Sequence, residues 1–185
     1  MATPRANPGP RAAAANRRAL IDAARVLFDE RGIDVPLVEI ARRAGVGQGV
    51  LYRHFPDRAS LAFAVFDENM TQLETLAAQH SPMSLRRLGH EVSHRVQGIA
   101  PLMSFATSSP DDPRLTSLEA RMRVLLTAAR EHAQATGRLR EDVTVDDLVM
   151  TLSMVTALTC SVPPEQRETS AEHAWEILER GLSGR

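Results

Sequence analysis

Two histidines and a glutamate stand at a spacing that can bind a metal. Residues 90–94 read HEVSH, and in the pattern H-E-x-x-H two His on one helical face bind zinc while the Glu acts as a base. The metzincin form continues with Gly and a third His, whereas this chain has Gln97 and Ala100 there. We therefore predict no catalytic residue and no metal site. His90 and His94 are either solvated helix histidines or contributors to a site for a metal or an anionic effector.

A second group of polar side chains lies in residues 37–55, which read LVEIARRAGVGQGVLYRHF. The pattern predicts two short helices with a turn between them, because Gly45 can adopt the left-handed conformation that a tight turn needs. Val46, Leu51 and Phe55 then face inward and pack the second helix onto the first. This arrangement is a helix-turn-helix.

The side chains that remain outward on the second of these helices are suited to contact with DNA. Gln and Arg can each form two hydrogen bonds to an adenine or a guanine edge, and a Val can contact a thymine methyl group. Tyr and His can donate to phosphates. The sequence therefore predicts a DNA-reading surface made of Gln48, Gly49, Val50, Tyr52, Arg53 and His54.

The rest of the chain has the periodicity of helices and no sustained alternation typical of strands. We predict an all-α fold of about nine helices, including a helix over about 11–31 with Leu20, Ala24 and Phe28 on one face, a long helix over about 58–79, and a short apolar piece at 102–107. Residues 1–10 hold three Pro and no periodic pattern, which predicts a disordered arm.

Composition narrows the class of protein. The 185 residues are 43% hydrophobic and 24% charged, a profile typical of globular chains. One Cys excludes an internal disulfide, and no apolar run is long enough for a membrane span or a signal peptide. We expect a cytoplasmic protein that does not contact a membrane.

Charge is distributed unevenly along the chain. Residues 1–66 carry ten Arg against six acids, whereas residues 67–185 carry twelve Arg against seventeen acids. Several of these Arg precede the first acid, Asp22, so the start of the chain is suited to a polyphosphate partner. On this ground Arg17 and Arg18 join the predicted DNA-binding residues, although a solvated basic tail would show the same pattern.

The residues around the turn resemble the TetR family of regulators. The AGV turn, the LYRHF run and the basic residue Arg58 occur in the order typical of that family, over about residues 12–66. The resemblance implies that Gln48 and Gly49 contact bases, with Val50 and Arg53 also facing the groove. It implies phosphate contacts for Tyr52, His54 and Arg58. Two positions depart from the family pattern, because Pro36 and Gly47 stand where Thr and Ser are common, which removes two hydroxyl donors.

The resemblance also implies the domain organisation and the partners. It predicts a helix-turn-helix domain at 11–56 and a C-terminal domain at 57–185 that binds an effector and dimerises. The protein would bind an operator in double-stranded DNA as a homodimer, need no cofactor, and leave the operator when a small-molecule effector binds. Activation instead of repression, and a helical ligand-binding or adaptor protein without DNA recognition, are the alternatives.

The last two helices, about 144–160 and 170–182, resemble the pair that forms a four-helix bundle with its symmetry mate. The interface candidates are Leu148, Leu152, Val155, Trp175, Leu178 and Leu182. Flexible apolar side chains also predict an effector cavity, because Met adapts to irregular space. Ordinary core packing is the alternative for each of these candidates, which are Met103, Phe105, Met122, Leu126, Met150 and Met154.

Overall fold

The computed structural model describes residues 9–79, 83–95 and 112–184, and every regular element in these ranges is a helix. This confirms the predicted all-α fold. A one-turn 3-10 helix precedes the last of the eight α-helices found there, which are α1 (Pro10–Arg31), α2 (Leu37–Arg43), α3 (Gln48–His54), α4 (Arg58–Gln79), α5 (Leu85–Arg95), α6 (Pro113–Ala135), α7 (Val145–Ser161) and α8 (Arg167–Leu182).

The helix ends follow local signals in the sequence. Proline suits the first helical turn because it has no N–H to leave unpaired, and α1 begins at Pro10. At α7 the Thr144 hydroxyl accepts from the Asp147 N–H while the Asp147 carboxylate accepts from the Thr144 N–H, which is a capping box. The predicted arm at 1–10, except for its last two residues, and the apolar piece at 102–107 lie outside the described residues.

The chain divides into two compact units, the head (Met1–Val65) and the body (Phe66–Arg185). The division falls within α4, whereas the sequence predicted a boundary at residue 56, before that helix. The first turns of α4 belong to the head, where Leu61 and Val65 are buried.

In the head, α1, α2 and α3 pack against one another. The predicted stripe of α1 is buried, with Leu20, Ala24 and Phe28 each at most 2% exposed. Ile40 of α2 is equally buried. A core of this kind fixes the orientation of α3, because each of the three helices contacts the other two.

In the body, α5, α6, α7 and α8 enclose a second core to which the end of α4 contributes. Its most deeply buried members are Leu88 of α5 and Leu148 of α7. Leu126 of α6 and Leu73 of α4 belong to the same cluster. The core therefore joins all five helices that the structure describes in this unit.

Arg121 of α6 links the body segment of α4 to α6. Its Nε and Nη2 donate to the two carboxylate oxygens of Glu74, both at 2.8 Å. Its Nη1 lies 2.6 Å from Asp67, and Nη2 also donates to the Thr71 hydroxyl at 3.0 Å. Hydrogen bonds from Arg121 lower the pKa of the Glu74 carboxyl, and Glu74 in return raises the pKa of the guanidinium.

Replacement of Arg121 with Gln is expected to lower the free energy of unfolding by about 1 kcal/mol near neutral pH, because a two-pronged pair in a network is worth more than an isolated surface pair. The folded-state pKa of Glu74 is below its unfolded value, so this stabilisation is complete above the unfolded pKa and is lost as the pH falls through the folded pKa. Urea unfolding of wild type and variant between neutral and acidic pH measures the difference.

The matched control is Arg123→Gln, on the same helix but with a more exposed side chain that pairs with Asp146 and Glu119. Exposure screens those pairs, so a smaller loss is expected. An Arg121→Gln effect that did not shrink in acid would show that the ion pairs are not its cause.

Candidate nucleic-acid interface

The turn between α2 and α3 is fixed by backbone hydrogen bonds. The Val46 N–H donates to the Ala41 carbonyl at 3.0 Å, and the Gly45 N–H donates to the Arg42 carbonyl at 3.1 Å. These two bonds make a Schellman motif, which requires a left-handed residue where Gly45 has φ +69°. A glycine at this position therefore sets the angle at which α3 leaves α2.

One side of α3 is sealed within the head. Leu51 is 1% exposed, and Phe55, directly after the helix, is also buried. Val46, before the helix, is half-buried. The predicted inward face is therefore present.

The other side of α3 is open. Gln48, Gly49 and Arg53 are exposed, and the Tyr52 side chain is 53% exposed. Val50 and His54 are half-buried. The structure thus brings together on one short helix the six residues that the sequence predicted to face DNA. Their individual contacts with DNA stay predictions.

Two predicted phosphate contacts have partners inside the head. Nη1 of Arg58 donates to the Ile33 carbonyl in the loop between α1 and α2 and lies 3.6 Å from the Asp34 carboxylate. The Arg17 guanidinium lies over the Phe55 ring, 5.4 Å from its centroid. Both cations therefore support the helix packing that positions α3. Arg18 is exposed on α1.

The departures at Pro36 and Gly47 have the expected local result. These residues are the N-caps of α2 and α3, and neither helix has a side-chain hydrogen bond at its cap. The helices form nevertheless, because the core side chains Ile40 and Leu51 hold them.

Sequence reasoning missed two arginines beside the turn. Arg42 and Arg43 end α2 and are exposed, and neither side chain has a hydrogen bond or ion pair within the described part of the chain. The sequence contains no Asp or Glu between Glu39 and Asp57. The inward stripe of Ile40 and Ala41 was the signal that would have placed both arginines outward.

Known proteins that are similar to the head are also transcription regulators with a helix-turn-helix. A family model described as bacterial regulatory proteins, tetR family, matches residues 20–65. An HTH-type transcriptional regulator of Staphylococcus aureus is 38% identical over 61 residues, which are 32% of this chain and 33% of that protein. An HTH-type transcriptional repressor of Mycobacterium tuberculosis is 29% identical over 148 residues, or 77% of this chain and 79% of the relative.

A solved structure extends the likeness to the body. The TetR family protein CprB from Streptomyces coelicolor is 28% identical, with a TM-score of 0.67 over 92% of this chain and 90% of that one. The head of this chain is a TetR-family domain. A TetR transcriptional regulator from the same organism gives 26% identity and a TM-score of 0.66, covering 91% of this chain and 98% of its own. These relatives are regulators, in agreement with the expectation that this chain is not an enzyme.

The predicted effector cavity is not supported by the positions of its predicted side chains. Met150 and Met154 are 66% and 51% exposed, so they do not line a cavity within the subunit. Leu126 is buried in the body core, and Met122 packs against it. Met103 and Phe105 lie outside the described residues. The sequence of α7 could not predict which residues are exposed, because the helix has apolar residues on more than one face.

The body does contain a cavity elsewhere. It has a volume of about 390 Å³ and lies between the start of α5, the end of α6 and the end of α8. Its walls include Leu85, Leu139 and Trp175, with Arg86 and Arg138 among the polar lining residues. None of the four predicted effector residues within the described ranges lines it.

The predicted dimer residues also need correction. Leu148 and Val155 are 1% and 2% exposed, so they belong to the interior of the subunit. Leu152 and Leu182 pack against the body core, and Leu178 is half-buried. The indole of Trp175 donates to the Ser93 hydroxyl of α5 at 2.9 Å.

The HEVSH pattern lies on α5. His90 is exposed on α5, and the side chain of His94 lies outside the described residues. No group of three potential ligands lies together in the part of the chain that the structure describes. In the same residues, no helix is long and apolar enough to cross a membrane.

Proposed function

We propose that this TetR-family protein is a repressor that binds a palindromic operator in double-stranded DNA as a homodimer and is released by a small-molecule effector. The observation that carries this proposal is that the polar side of α3 is exposed while Leu51, on its other side, is buried in the head. Gamma-butyrolactone receptors are among the similar solved structures, and they support a ligand-responsive body. A regulator of bacterial genes of this kind works in the cytoplasm.

Each exposed residue of α3 has a chemical role in this proposal. Gln48 and Arg53 would form paired hydrogen bonds to base edges, and Val50 would contact a thymine methyl group. Gly49, which has no side chain, allows the backbone to approach the DNA closely. Tyr52 would donate to a phosphate, together with His54, Arg18 and the remaining donors of Arg17 and Arg58.

Arg42 and Arg43 add phosphate contacts next to α3. Charge at this position strengthens binding without reading sequence, because backbone contacts release counterions from any duplex. The base-reading residues of α3 then decide which site is preferred.

Fluorescence anisotropy on the intergenic DNA upstream of the gene tests the proposal. Affinity is expected to fall about 10³-fold or more between 50 and 200 mM salt, roughly what six phosphate contacts predict. Tyr52→Ala is expected to weaken binding about tenfold, because it removes a phosphate donor and aromatic contact surface without disturbing the buried face.

The control is Val26→Ala, which shortens an exposed side chain on α1. It should bind as wild type. Binding that ignored salt, together with full affinity in Tyr52→Ala, would favour an adaptor protein without DNA recognition.

Dimerisation is proposed through an exposed apolar face on α7 and α8, not through the buried leucines. Met150, Met154 and Leu158 recur every four residues and share one side of α7, where they are exposed. Ile177 is exposed on α8, which packs against α7. Two such helix pairs related by a two-fold axis make a four-helix bundle, and the dimer would place its recognition helices about 34–36 Å apart, one turn of DNA.

Met154→Arg is expected to convert the dimer to a monomer at micromolar concentration, because a two-fold axis brings two uncompensated charges into an apolar interface. Analytical ultracentrifugation measures the change, and operator affinity should fall with it. Val124→Arg alters a more exposed apolar residue on α6 and should leave the dimer intact. A Met154→Arg protein that remained dimeric would place the interface elsewhere.

A further inference from the structure

The body cavity combines an apolar interior with an excess of positive charge. Leu85 of α5, Ala133 and Leu139 from the end of α6 and its following loop, and Leu182 of α8 supply apolar walls. Trp175 adds a large aromatic side chain to the lining. Burial of an apolar ligand against such walls provides the main favourable free energy of binding.

The charged groups of the lining are not balanced. Arg86 pairs at 3.4 Å with Glu179, the one acid among the described residues of the lining. Arg138 is exposed and has no hydrogen bond or ion pair from its side chain among the residues that the structure describes. His132 lies in the same lining. One guanidinium is therefore left to face a ligand.

Backbone hydrogen bonds fix the position of residue 138 beside the cavity. The Arg138 N–H donates to the Ala133 carbonyl at 2.9 Å, and its carbonyl accepts from the Gly184 N–H at 3.4 Å. A Cβ at Gly184 would lie 2.5 Å from the Gly137 carbonyl oxygen, so the chain after α8 fits closely against this loop. The loop is anchored on both sides of Arg138.

We propose that this cavity binds a small anion with an apolar body, such as a carboxylate, with the charged group at Arg138 and the apolar part against Leu139, Leu182 and Trp175. The proposal deepens the ligand response proposed above, and it assigns that response to this cavity. A cation would meet Arg86 and Arg138, and the Glu179 carboxylate is already engaged. A guanidinium binds carboxylate through paired, charge-assisted hydrogen bonds.

The cavity size limits the ligand. A volume of about 390 Å³ is near the lower end of the range for small-molecule sites, roughly 300–1,000 Å³. A carboxylate with a medium-length hydrocarbon chain fits this limit, whereas a large polycyclic ligand exceeds it.

Trp175 makes binding measurable, because it is the single Trp of the chain and lines the cavity. Octanoate, octan-1-ol and octylammonium share one hydrocarbon chain and differ in charge. Titration of the full-length protein with each probe, followed by Trp175 emission and by calorimetry, is expected to give octanoate at least tenfold tighter binding than the alcohol. Octylammonium is expected to bind more weakly than either.

Variants at Arg138 test the position of the charge. Arg138→Gln should remove the preference for octanoate over the alcohol, and Arg138→Glu should transfer it to octylammonium. Arg87→Gln changes an exposed arginine of α5 that is not part of the lining and should behave as wild type.

Equal binding of octanoate and octan-1-ol, no binding of octanoate in calorimetry, or an equal loss in Arg87→Gln would overturn the proposal. Operator binding by ligand-free Arg138→Gln should equal that of wild type. Failure at the cavity is thereby distinguished from failure of the proposed DNA-binding function.

Discussion

Leu51→Ala is expected to unfold the head and abolish operator binding while the body stays folded. Leu51 is the fully buried side chain of α3, and truncation of a buried Leu to Ala costs about 2–5 kcal/mol because a cavity replaces packed methyl groups. A unit as small as the head has little stability in excess of that loss. Anisotropy on operator DNA, far-ultraviolet circular dichroism and Trp175 emission together measure the result.

The three measurements separate the head from the body. Trp175 belongs to the body, so its emission should not change while part of the helical dichroism is lost. Tyr52→Ala, one residue further along α3 and half exposed, is the control: it should weaken operator binding but retain the full helical signal. Normal operator affinity in Leu51→Ala would show that α3 is not held by this contact.

Gly89→Val is expected to lower the free energy of unfolding of the body by about 2–3 kcal/mol, the usual cost of overpacking a tight contact. A Cβ at Gly89 would lie 2.6 Å from Cζ2 of Trp175. The indole could not then keep its hydrogen bond to Ser93. Urea unfolding measures the loss, and a shifted Trp175 emission maximum reports the displaced ring.

The same substitution at Gly181 is the control for helix propensity and added bulk. Gly181 lies in α8, and a Cβ there has no heavy atom within 4 Å. Gly181→Val should therefore change stability by only a few tenths of a kcal/mol. If Gly89→Val were equally harmless, α5 and α8 would have to pack differently around Trp175.

The helices of the head and their buried faces could be predicted from local signals in the sequence. The stripe through Leu20, Ala24 and Phe28 and the glycine at position 45 are properties of a few consecutive residues. They predicted which side of each helix is buried and where each helix ends, because helix periodicity and capping act over one or two turns. The inward and outward sides of α3 followed from the same short-range rules.

Long-range contacts decided the rest. In α7, Leu148 and Val155 face the core while Met150 and Met154 are exposed, although all four are apolar. A helix that is apolar on several sides gives no amphipathic pattern to separate them.

The tight fit of Trp175 on Gly89 joins residues of α5 and α8 that are far apart in the chain. The bond from Arg58 to the Ile33 carbonyl likewise depends on where a distant loop lies. The sequence by itself determined the helices and their local faces. Only the tertiary structure decided which apolar faces are covered within the subunit, because burial depends on the neighbours that folding brings together.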